Sequence, residues 1–284
     1  MRVLCAGHVN WDVTLRLDRL PVPDGESAIR SRRQGGGGSA ANVAAGLVGL
    51  DCEAALVGSV GDDENGLLAT RDLAARGVDT DGVVTAPGTT ATKYLLVDDA
   101  GEVSVLGAEG VNEAVRPEDI DPEYVTGCDH VHLTSQHPET ARYLAALAAG
   151  HGIPVSFDPG RRVADRDFSA VIDHTDLLFV NEQEAAALGA VPCEVVATKF
   201  GTRGAAVETP DGAVEHAGFA LDPVDTTGAG DAFAAGFLAA RLRGEAPGDA
   251  LAVANACGAL AAAREGPKVP LSWEAVERLT AETG

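Results

Sequence analysis

Lysine is scarce in this chain, which carries only Lys93, Lys199 and Lys268 among its 21 lysine and arginine residues. These cations face 43 acidic residues, so the formal net charge is −22. Such an acidic chain is poorly suited to neutralising a phosphate backbone, which argues against nucleic-acid binding. Strong negative charge is instead typical of a protein from a salt-loaded cytosol, where charge maintains solubility and salt screens the repulsion. We therefore predict a halophilic protein.

Paired cysteines and long apolar runs are also missing. The five cysteines are far apart and form no CxxC, which indicates free thiols. No apolar run reaches the roughly 18 residues that a membrane-spanning helix needs. The start of the chain lacks the apolar core of a signal peptide. We expect a cytoplasmic protein that does not bind membranes.

Strand and helix patterns alternate from about residue 128 onward. Apolar strands at HVHLT, PVSF, DLLFV and EVVATKF are separated by helical segments, an alternation typical of a parallel sheet covered by helices. We predict an α/β fold with a doubly wound, mostly parallel sheet and helices on both faces, in a single domain spanning residues 1–284. Segments at about 12–34 and 91–107 do not fit the alternation, and we assign them to a small β-sheet lid inserted in the domain.

Two glycines stand just before an apolar helical segment in DTTGAGDAFAAGF (Asp225–Phe237). The first turn of a helix has unpaired N–H groups and a partial positive charge, so Gly228, Ala229 and Gly230 are predicted to form a cradle for an anion such as phosphate. Asp231 follows in the first turn, where a carboxylate also stabilises the helix by itself. Beside an anion cradle, Asp231 can accept the proton of an attacking hydroxyl, and the segment therefore predicts phosphoryl transfer.

This segment resembles the second signature of the ribokinase-like (PfkB) carbohydrate kinase family. Three further segments are similar to family motifs and follow in the family's order: GGGGSAANVAAGLVGL (Gly35–Leu50), GSVGDDENG (Gly58–Gly66) and NEQE (Asn181–Glu184). Together the four segments span most of the chain. The resemblance implies the ribokinase-like form of the α/β fold, and a phosphotransferase that uses ATP and Mg²⁺ to phosphorylate an alcohol group of a sugar.

The resemblance also implies roles for individual residues. Asp231 is implied as the catalytic base, with Gly228, Ala229 and Gly230 as the anion hole for the γ-phosphate. The implied sugar-binding residues are Asn10, Asp12, Gly37, Gly38 and Asn42. The implied nucleotide-binding residues are Asn181, Thr198, Gly201, Gly204 and Asn255.

Metal ions follow from the same resemblance. Glu184 is implied to organise Mg²⁺ through water, together with Asn181, although the two residues fit a helix N-cap and a first-turn acid equally well. Asp225 and Thr227 match a monovalent-cation motif, and Gly266 in REGPKVP loosely matches the other wall of that site. A K⁺ site is therefore implied as well.

Two other functions are less consistent with the sequence. The letters of Gly36-x-Gly38-x-x-Ala41 satisfy the dinucleotide fingerprint of oxidoreductases, but the preceding RSRRQ is not a buried parallel strand. A non-catalytic sugar or nucleotide sensor on the same fold has no need of Asp231 beside an intact glycine turn.

The acceptor is left open by the sequence. GHVNWD and GGSAAN are similar to segments of kinases that act on ribose-like sugars or nucleosides. Arg32, Arg33 and Lys93 in the predicted lid form either a solvated strand face or a site for a substrate phosphate. The second alternative extends the acceptors to sugar phosphates, such as ribose 1-phosphate or fructose 6-phosphate, and ketohexoses and 2-keto-3-deoxygluconate also fit. Because the lid often pairs with a second copy in relatives, the resemblance implies a homodimer.

Overall fold

A computed structural model describes residues 1–222, 224–263 and 270–282. Within these ranges the strands are β1 (Arg2–Ala6), β2 (Asn10–Leu17), β3 (Ile29–Gly37), β4 (Glu53–Gly61), β5 (Val83–Ala86), β6 (Thr92–Val97), β7 (Val103–Ala108), β8 (His130–Thr134), β9 (Val155–Asp158), β10 (Leu177–Asn181), β11 (Val195–Lys199), β12 (Ala205–Thr209) and β13 (Gly212–His216). The α-helices are α1 (Ser39–Gly49), α2 (Glu64–Ala75), α3 (Pro122–Thr126), α4 (Pro138–Gly150), α5 (Ser169–Ile172), α6 (Glu182–Leu188), α7 (Ala229–Leu242), α8 (Pro247–Ala262) and α9 (Trp273–Glu282).

The main sheet is mostly parallel, as predicted. In the described residues it has nine strands in the order β13-β12-β11-β10-β9-β8-β1-β4-β5. The strands from β5 to β11 pair in parallel, whereas β12 and β13 form an antiparallel edge. The carboxyl ends of β1, β8, β9, β10 and β11 therefore lie side by side at one edge of the sheet.

Helices cover both faces of this sheet, which also confirms the prediction. Alternation along β1 shows how the sequence specifies the two layers: Val3 and Cys5 pack into one core cluster, and Leu4 and Ala6 pack into the other. The first cluster includes apolar residues of α1, α7 and α8, and the second includes residues of α4. A strand that is apolar on both sides is typical of a buried parallel sheet.

A separate sheet of four strands has the order β3-β2-β6-β7 within the described chain. Its strands fall close to the predicted lid segments, but β3 begins at Ile29 and continues to Gly37. Gly35–Gly37 end this strand, and Gly38 is the N-cap of α1. Since β3 is antiparallel to β2, the dinucleotide fingerprint also lacks the parallel strand that it requires.

Trp11 and Val13 of β2 pack against Ala69 and Leu73 of α2, which fixes this small sheet to the main body. Within the ranges that the structure describes, every helix is too short or too polar to cross a lipid bilayer.

Candidate active site

Two adjacent cavities lie at the carboxyl edge of the main sheet. The first has a volume of about 620 Å³ and is lined in part by Asn181, Glu184 and Lys199. The second has a volume of about 320 Å³, and its lining includes Gly204 and Gly230. Lys199 and Gly201 line both cavities, so the two form one continuous crevice. Ligands of open α/β sheets bind in crevices at this edge.

Asn181 and Glu184 form a reciprocal cap at the start of α6. The Asn181 side chain accepts hydrogen bonds from the amides of Gln183 and Glu184, and Glu184 Oε2 accepts one from the Asn181 amide at 2.8 Å. The two residues therefore cap α6, and both also line the first cavity. Burial and the nearby charge of Asp158 raise the pKa of Glu184. A cation in this cavity would stabilise the charged form of the Glu184 carboxylate.

A buried ion pair joins the ends of two neighbouring strands. Lys199 Nζ at the end of β11 lies 2.6 Å from Asp158 Oδ2 at the end of β9. Although burial opposes its charge, Asp158 and then Glu184 and Asp231 raise the pKa of Lys199, which keeps it protonated. Neither partner was identified from the sequence. Their signal was available, since Lys199 is one of three lysines and ends a predicted strand.

The position of Lys199 also bears on the prediction for Thr198. Successive residues of a strand point to opposite faces, so the neighbours Thr198 and Lys199 cannot both face the crevice. Lys199 is the residue that lines both cavities. Thr198 is not among the lining residues of either cavity, and its nucleotide contact stays a prediction.

Gly204 and Asn255 line the second cavity together with Phe219. Gly204 has a φ of +87°, and an added Cβ would lie only 1.9 Å from the His216 carbonyl oxygen, so glycine is required here. Asn255 is buried and donates from Nδ2 to the Leu251 carbonyl within α8. An apolar ring beside a buried amide suits a flat heteroaromatic base.

The glycine turn begins α7 as predicted. Gly228 is the N-cap in the left-handed region, with a φ of +78°. The Ala229 amide donates to the Thr226 carbonyl at 3.2 Å, so this amide is already engaged and the predicted anion hole loses one of its three members. Gly230 lines the second cavity. Because Gly230 has no side chain, the space between the glycine turn and Lys199 Nζ is open.

Asp231 and Asn42 are in direct contact although 189 residues separate them. Asn42 Nδ2 of α1 donates to Asp231 Oδ2 at 2.7 Å. Burial, together with the charge of Asp158, raises the pKa of Asp231 to about 6, against the lowering effects of the Asn42 hydrogen bond and of Lys199. The Oδ1 atom of Asn42 is buried and makes no hydrogen bond to any described residue, so it can accept one from a ligand hydroxyl.

The remaining predicted sugar-binding residues surround this contact. Gly37 and Asp12 approach so closely that a Cβ on Gly37 would lie 2.0 Å from Asp12 Oδ2. Gly38 has a φ of +96° and lies against the His8 carbonyl. Asn10 is buried, and its Oδ1 accepts a hydrogen bond from Asn112 Nδ2 at 2.6 Å. Asn112 was not identified from the sequence.

The cations of the small sheet divide between its two faces. Lys93 opposes Asp12, and Arg33 opposes Thr14, which places Lys93 and Arg33 on the face of Asp12. The charge of Lys93 lowers the pKa of Asp231, so this face is turned towards the crevice.

Arg32 does not share that face. It opposes Leu15 and donates from Nη2 to Gln34 Oε1 at 2.7 Å on the other side of the sheet. The prediction that groups Arg32 with Lys93 in one substrate site is corrected by this alternation.

Asp225 and Thr227 form a tight turn before α7. Asp225 Oδ1 accepts a hydrogen bond from the Thr227 amide at 2.9 Å, and the Asp225 amide donates to the Ala262 carbonyl. Gly266 of the predicted cation site lies outside the described residues. Among the described residues, no group of three or more His, Cys, Asp or Glu side chains is arranged to hold a metal ion.

A carboxylate with a raised pKa, a glycine turn at a helix N-terminus and a buried lysine are the components of a phosphoryl-transfer site. Residues 1–274 match the family model described as pfkB family carbohydrate kinase. The chain belongs to this family.

Similar proteins cover the whole chain. An ATP-dependent ribose-1-phosphate kinase from Halopiger xanaduensis is 56% identical over 292 residues, which is 99% of each chain. A ribokinase from Bacillus subtilis is 30% identical over 92% of each chain. The crystal structure of a nucleoside kinase from Methanocaldococcus jannaschii superposes with a TM-score of 0.86 at 25% identity, covering 99% of this chain and 98% of the other. The full-length similarity agrees with the predicted α/β fold and kinase family.

Proposed function

We propose that this family member is an ATP-dependent kinase whose acceptor is a sugar 1-phosphate of the ribose type. The observation that carries the kinase assignment is the hydrogen bond between Asp231, beside the glycine turn, and Asn42, beside the predicted sugar residues. Within the family, the acceptor is supported by the 56% identity with the ribose-1-phosphate kinase. This acceptor corresponds to the phosphosugar alternative that the sequence leaves open.

In the proposed reaction, Asp231 accepts the proton of the attacking hydroxyl. Asn42 holds the Asp231 carboxylate through Nδ2 and can accept a second hydroxyl of the sugar through Oδ1. The amides at the start of α7, from Gly228 and Gly230, face the γ-phosphate and stabilise the charge on the transferring group. Lys199 adds a fixed positive charge where the two cavities meet.

The residues of the first cavity suit Mg²⁺. Mg²⁺ prefers oxygen ligands and usually binds through one or two carboxylates, water and substrate phosphates. Glu184 would hold it through water, and the raised pKa of Glu184 fits a carboxylate that gains from a nearby cation. When bound with ATP, the ion would neutralise charge on the phosphates. A K⁺ ion beside Asp225 and Thr227 remains part of the proposal on the basis of the resemblance.

The small sheet would act as a lid that excludes water from the transferring phosphate. Near its edge strand β7 it exposes large apolar side chains on both faces, Val103 and Val105 on one and Tyr94 and Leu106 on the other, an unusual density for a monomer surface. We infer that a second copy covers them, giving a homodimer. Light scattering should give twice the chain mass, and the double substitution Val103→Asp, Val105→Asp should give the mass of one chain.

The net charge of −22 supports a further part of the proposal, namely a salt-rich cytoplasm as the working environment.

The acceptor is tested by a coupled assay of ADP release in molar KCl, with ribose 1-phosphate, ribose, fructose 6-phosphate and nucleosides. We expect the highest kcat/KM with ribose 1-phosphate. Reactions without acceptor, and with the Asp231→Asn variant, are the controls. Preference for ribose or a nucleoside would contradict the acceptor, and no ADP release with any compound would contradict the kinase assignment.

A further inference from the structure

Two arginines and a histidine gather around one carboxylate near the carboxyl ends of β1 and β8. Glu113 Oε1 lies 3.0 Å from His8 Nε2, 2.8 Å from Arg166 Nη1 and 3.4 Å from Arg162 Nη1. Arg162 also pairs with Glu109, whose side chain is 77% exposed. Although burial opposes its ionisation, the hydrogen bonds from His8 and Arg166 lower the pKa of Glu113 to about 2. The proposed chemistry at Asp231 uses none of these groups.

This cluster adjoins the residues predicted to hold the sugar. His8 lies two residues before Asn10, and its carbonyl lies against Gly38. Asn112, the neighbour of Glu113, holds Asn10 through its Nδ2 and accepts from the Val9 amide through its Oδ1. The cluster is therefore connected directly to the residues predicted to hold the sugar.

Asp231 is connected to these residues through Asn42. Asn42, which contacts Asp231, is joined to Gly38 by a hydrogen bond from its amide to the Gly38 carbonyl at 2.8 Å. A chain of contacts therefore runs from Asp231 through Asn42, Gly38 and His8 to Glu113 and its arginines. In ribose 1-phosphate, the primary hydroxyl on C5 and the phosphate on C1 are likewise separated by the ring.

The cluster retains hydrogen-bond capacity. Arg166 donates twice, to Glu113 and to the Gln136 carbonyl, and both contacts use Nη1. Its Nε and Nη2 groups make no hydrogen bond to the described part of the chain, and a guanidinium has five N–H donors in all. On either side of Gln136, Ser135 Oγ and His137 Nδ1 are buried and have no hydrogen-bond partner among the described residues. Unsatisfied buried polar atoms at a crevice are expected where a polar ligand binds.

The arginines of the cluster favour an anion. A single ion pair would suffice to neutralise Glu113, yet two arginines converge on it in a chain with a net charge of −22. The second carboxylate, Glu109, is largely exposed and therefore solvated, so its compensation of Arg162 is weak. Guanidinium groups bind phosphate with paired, charge-assisted hydrogen bonds.

We propose that His8, Arg162 and Arg166 form the subsite for the phosphate group that the acceptor sugar already carries, with Glu113 as the positioning residue that holds the three side chains together. This inference rests on the proposed function, in which the acceptor is a sugar 1-phosphate. It places the acceptor phosphate on the main body and not on Arg32 of the small sheet.

The test is steady-state kinetics of Arg166→Gln and Arg162→Gln with ribose 1-phosphate and ATP as the varied substrates. Loss of a charge-assisted hydrogen bond should raise the KM for ribose 1-phosphate about 10- to 100-fold. The KM for ATP and the melting temperature should stay close to those of the wild-type protein. Arg166→Lys, which keeps the charge but loses the planar fork, should restore part of the affinity.

Arg142→Gln is the matched control, because Arg142 is an exposed arginine of α4 and its replacement removes the same charge. A purely structural role of Arg166 would raise both KM values or lower the melting temperature. Such a result, with Arg162→Gln also unselective, would overturn the subsite while leaving the function intact. If the wild-type protein fails to phosphorylate ribose 1-phosphate, the proposed function falls and the subsite falls with it.

Discussion

Asp231 owes its raised pKa chiefly to burial, and this gives its proposed role a measurable consequence. A general base works only when deprotonated, so the fraction of active enzyme should fall as the pH drops below a pKa of about 6. We expect kcat/KM to rise with pH by about tenfold per unit below this value and to level off above it. The measurement is a pH–rate profile of the wild-type protein under saturating ATP.

The same residue provides the control for this profile. Asp231→Asn preserves the size of the side chain and should keep the melting temperature, while lowering kcat by roughly 10²–10⁴. The residual activity should no longer show the limb near pH 6. A variant with nearly wild-type turnover, or with the limb intact, would remove Asp231 from the role of base.

Lys199 is expected to matter for both catalysis and stability. Lys199→Met removes the positive charge shared by the two cavities and leaves Asp158 buried without its cation. We expect kcat/KM for ATP to fall by about 10²-fold, with a lower melting temperature. Lys199→Arg keeps the charge and should retain more activity than Lys199→Met. Unchanged ATP kinetics in Lys199→Met would show that the lysine only balances Asp158.

At the scale of the elements, the turn from the short 3₁₀ segment into β12 depends on Gly204. Its φ of +87° is unfavourable for other residues, and the His216 carbonyl occupies the space that a Cβ needs. Gly204→Ala should therefore destabilise the protein by at least about 1–3 kcal/mol and lower the melting temperature by roughly 5–10 °C. Thermal unfolding followed by circular dichroism measures the shift.

Two other glycines distinguish the effect of an unfavourable φ from that of steric overlap with a Cβ. Gly212 has a φ of +130° but open space around its Cα, so Gly212→Ala should cost less than Gly204→Ala. Gly150, in the last turn of α4, has neither feature, and Gly150→Ala should be neutral or slightly stabilising. Equal losses for Gly204→Ala and Gly212→Ala would mean that the contact with His216 is unimportant.

The elements also show what the sequence could predict. The alternation of apolar strands and helices was sufficient for the parallel sheet, because each βαβ unit is specified by a local stretch of sequence. The start of α7 at the glycine turn was predictable for the same reason. Helix capping by Asn181 and Glu184 was foreseen as an alternative, and the structure adds that the same residues line a cavity.

Contacts between distant segments were harder to predict. The pair of Lys199 and Asp158 exists because β9, β10 and β11 end side by side, and the cluster at Glu113 joins segments that are about a hundred residues apart. Arg32 was grouped with Lys93 because a face can be assigned only when the register of β2 and β3 is known, and that register contains a shift at Arg16 and Leu17.

For the whole molecule, the net charge of −22 should make stability depend on salt. Repulsion between like charges opposes the compact state, and its range shrinks from about 30 Å at 0.01 M salt to about 3 Å at 1 M. We expect the melting temperature to rise by roughly 10 °C between low salt and molar KCl, equivalent to a few kcal/mol for a protein of this size. Differential scanning fluorimetry over a KCl series measures this.

The choice of cation separates screening from the proposed K⁺ site. Screening depends on ionic strength alone, so KCl, NaCl and choline chloride should raise the melting temperature equally at matched concentrations. A K⁺ ion beside Asp225 would act on the turn that precedes α7 and thereby on the amides proposed to face the γ-phosphate. It should therefore raise kcat in KCl but not in NaCl, at equal melting temperature. Equal kcat in all three salts would exclude the K⁺ site, and a melting temperature that does not respond to salt would contradict the halophilic adaptation.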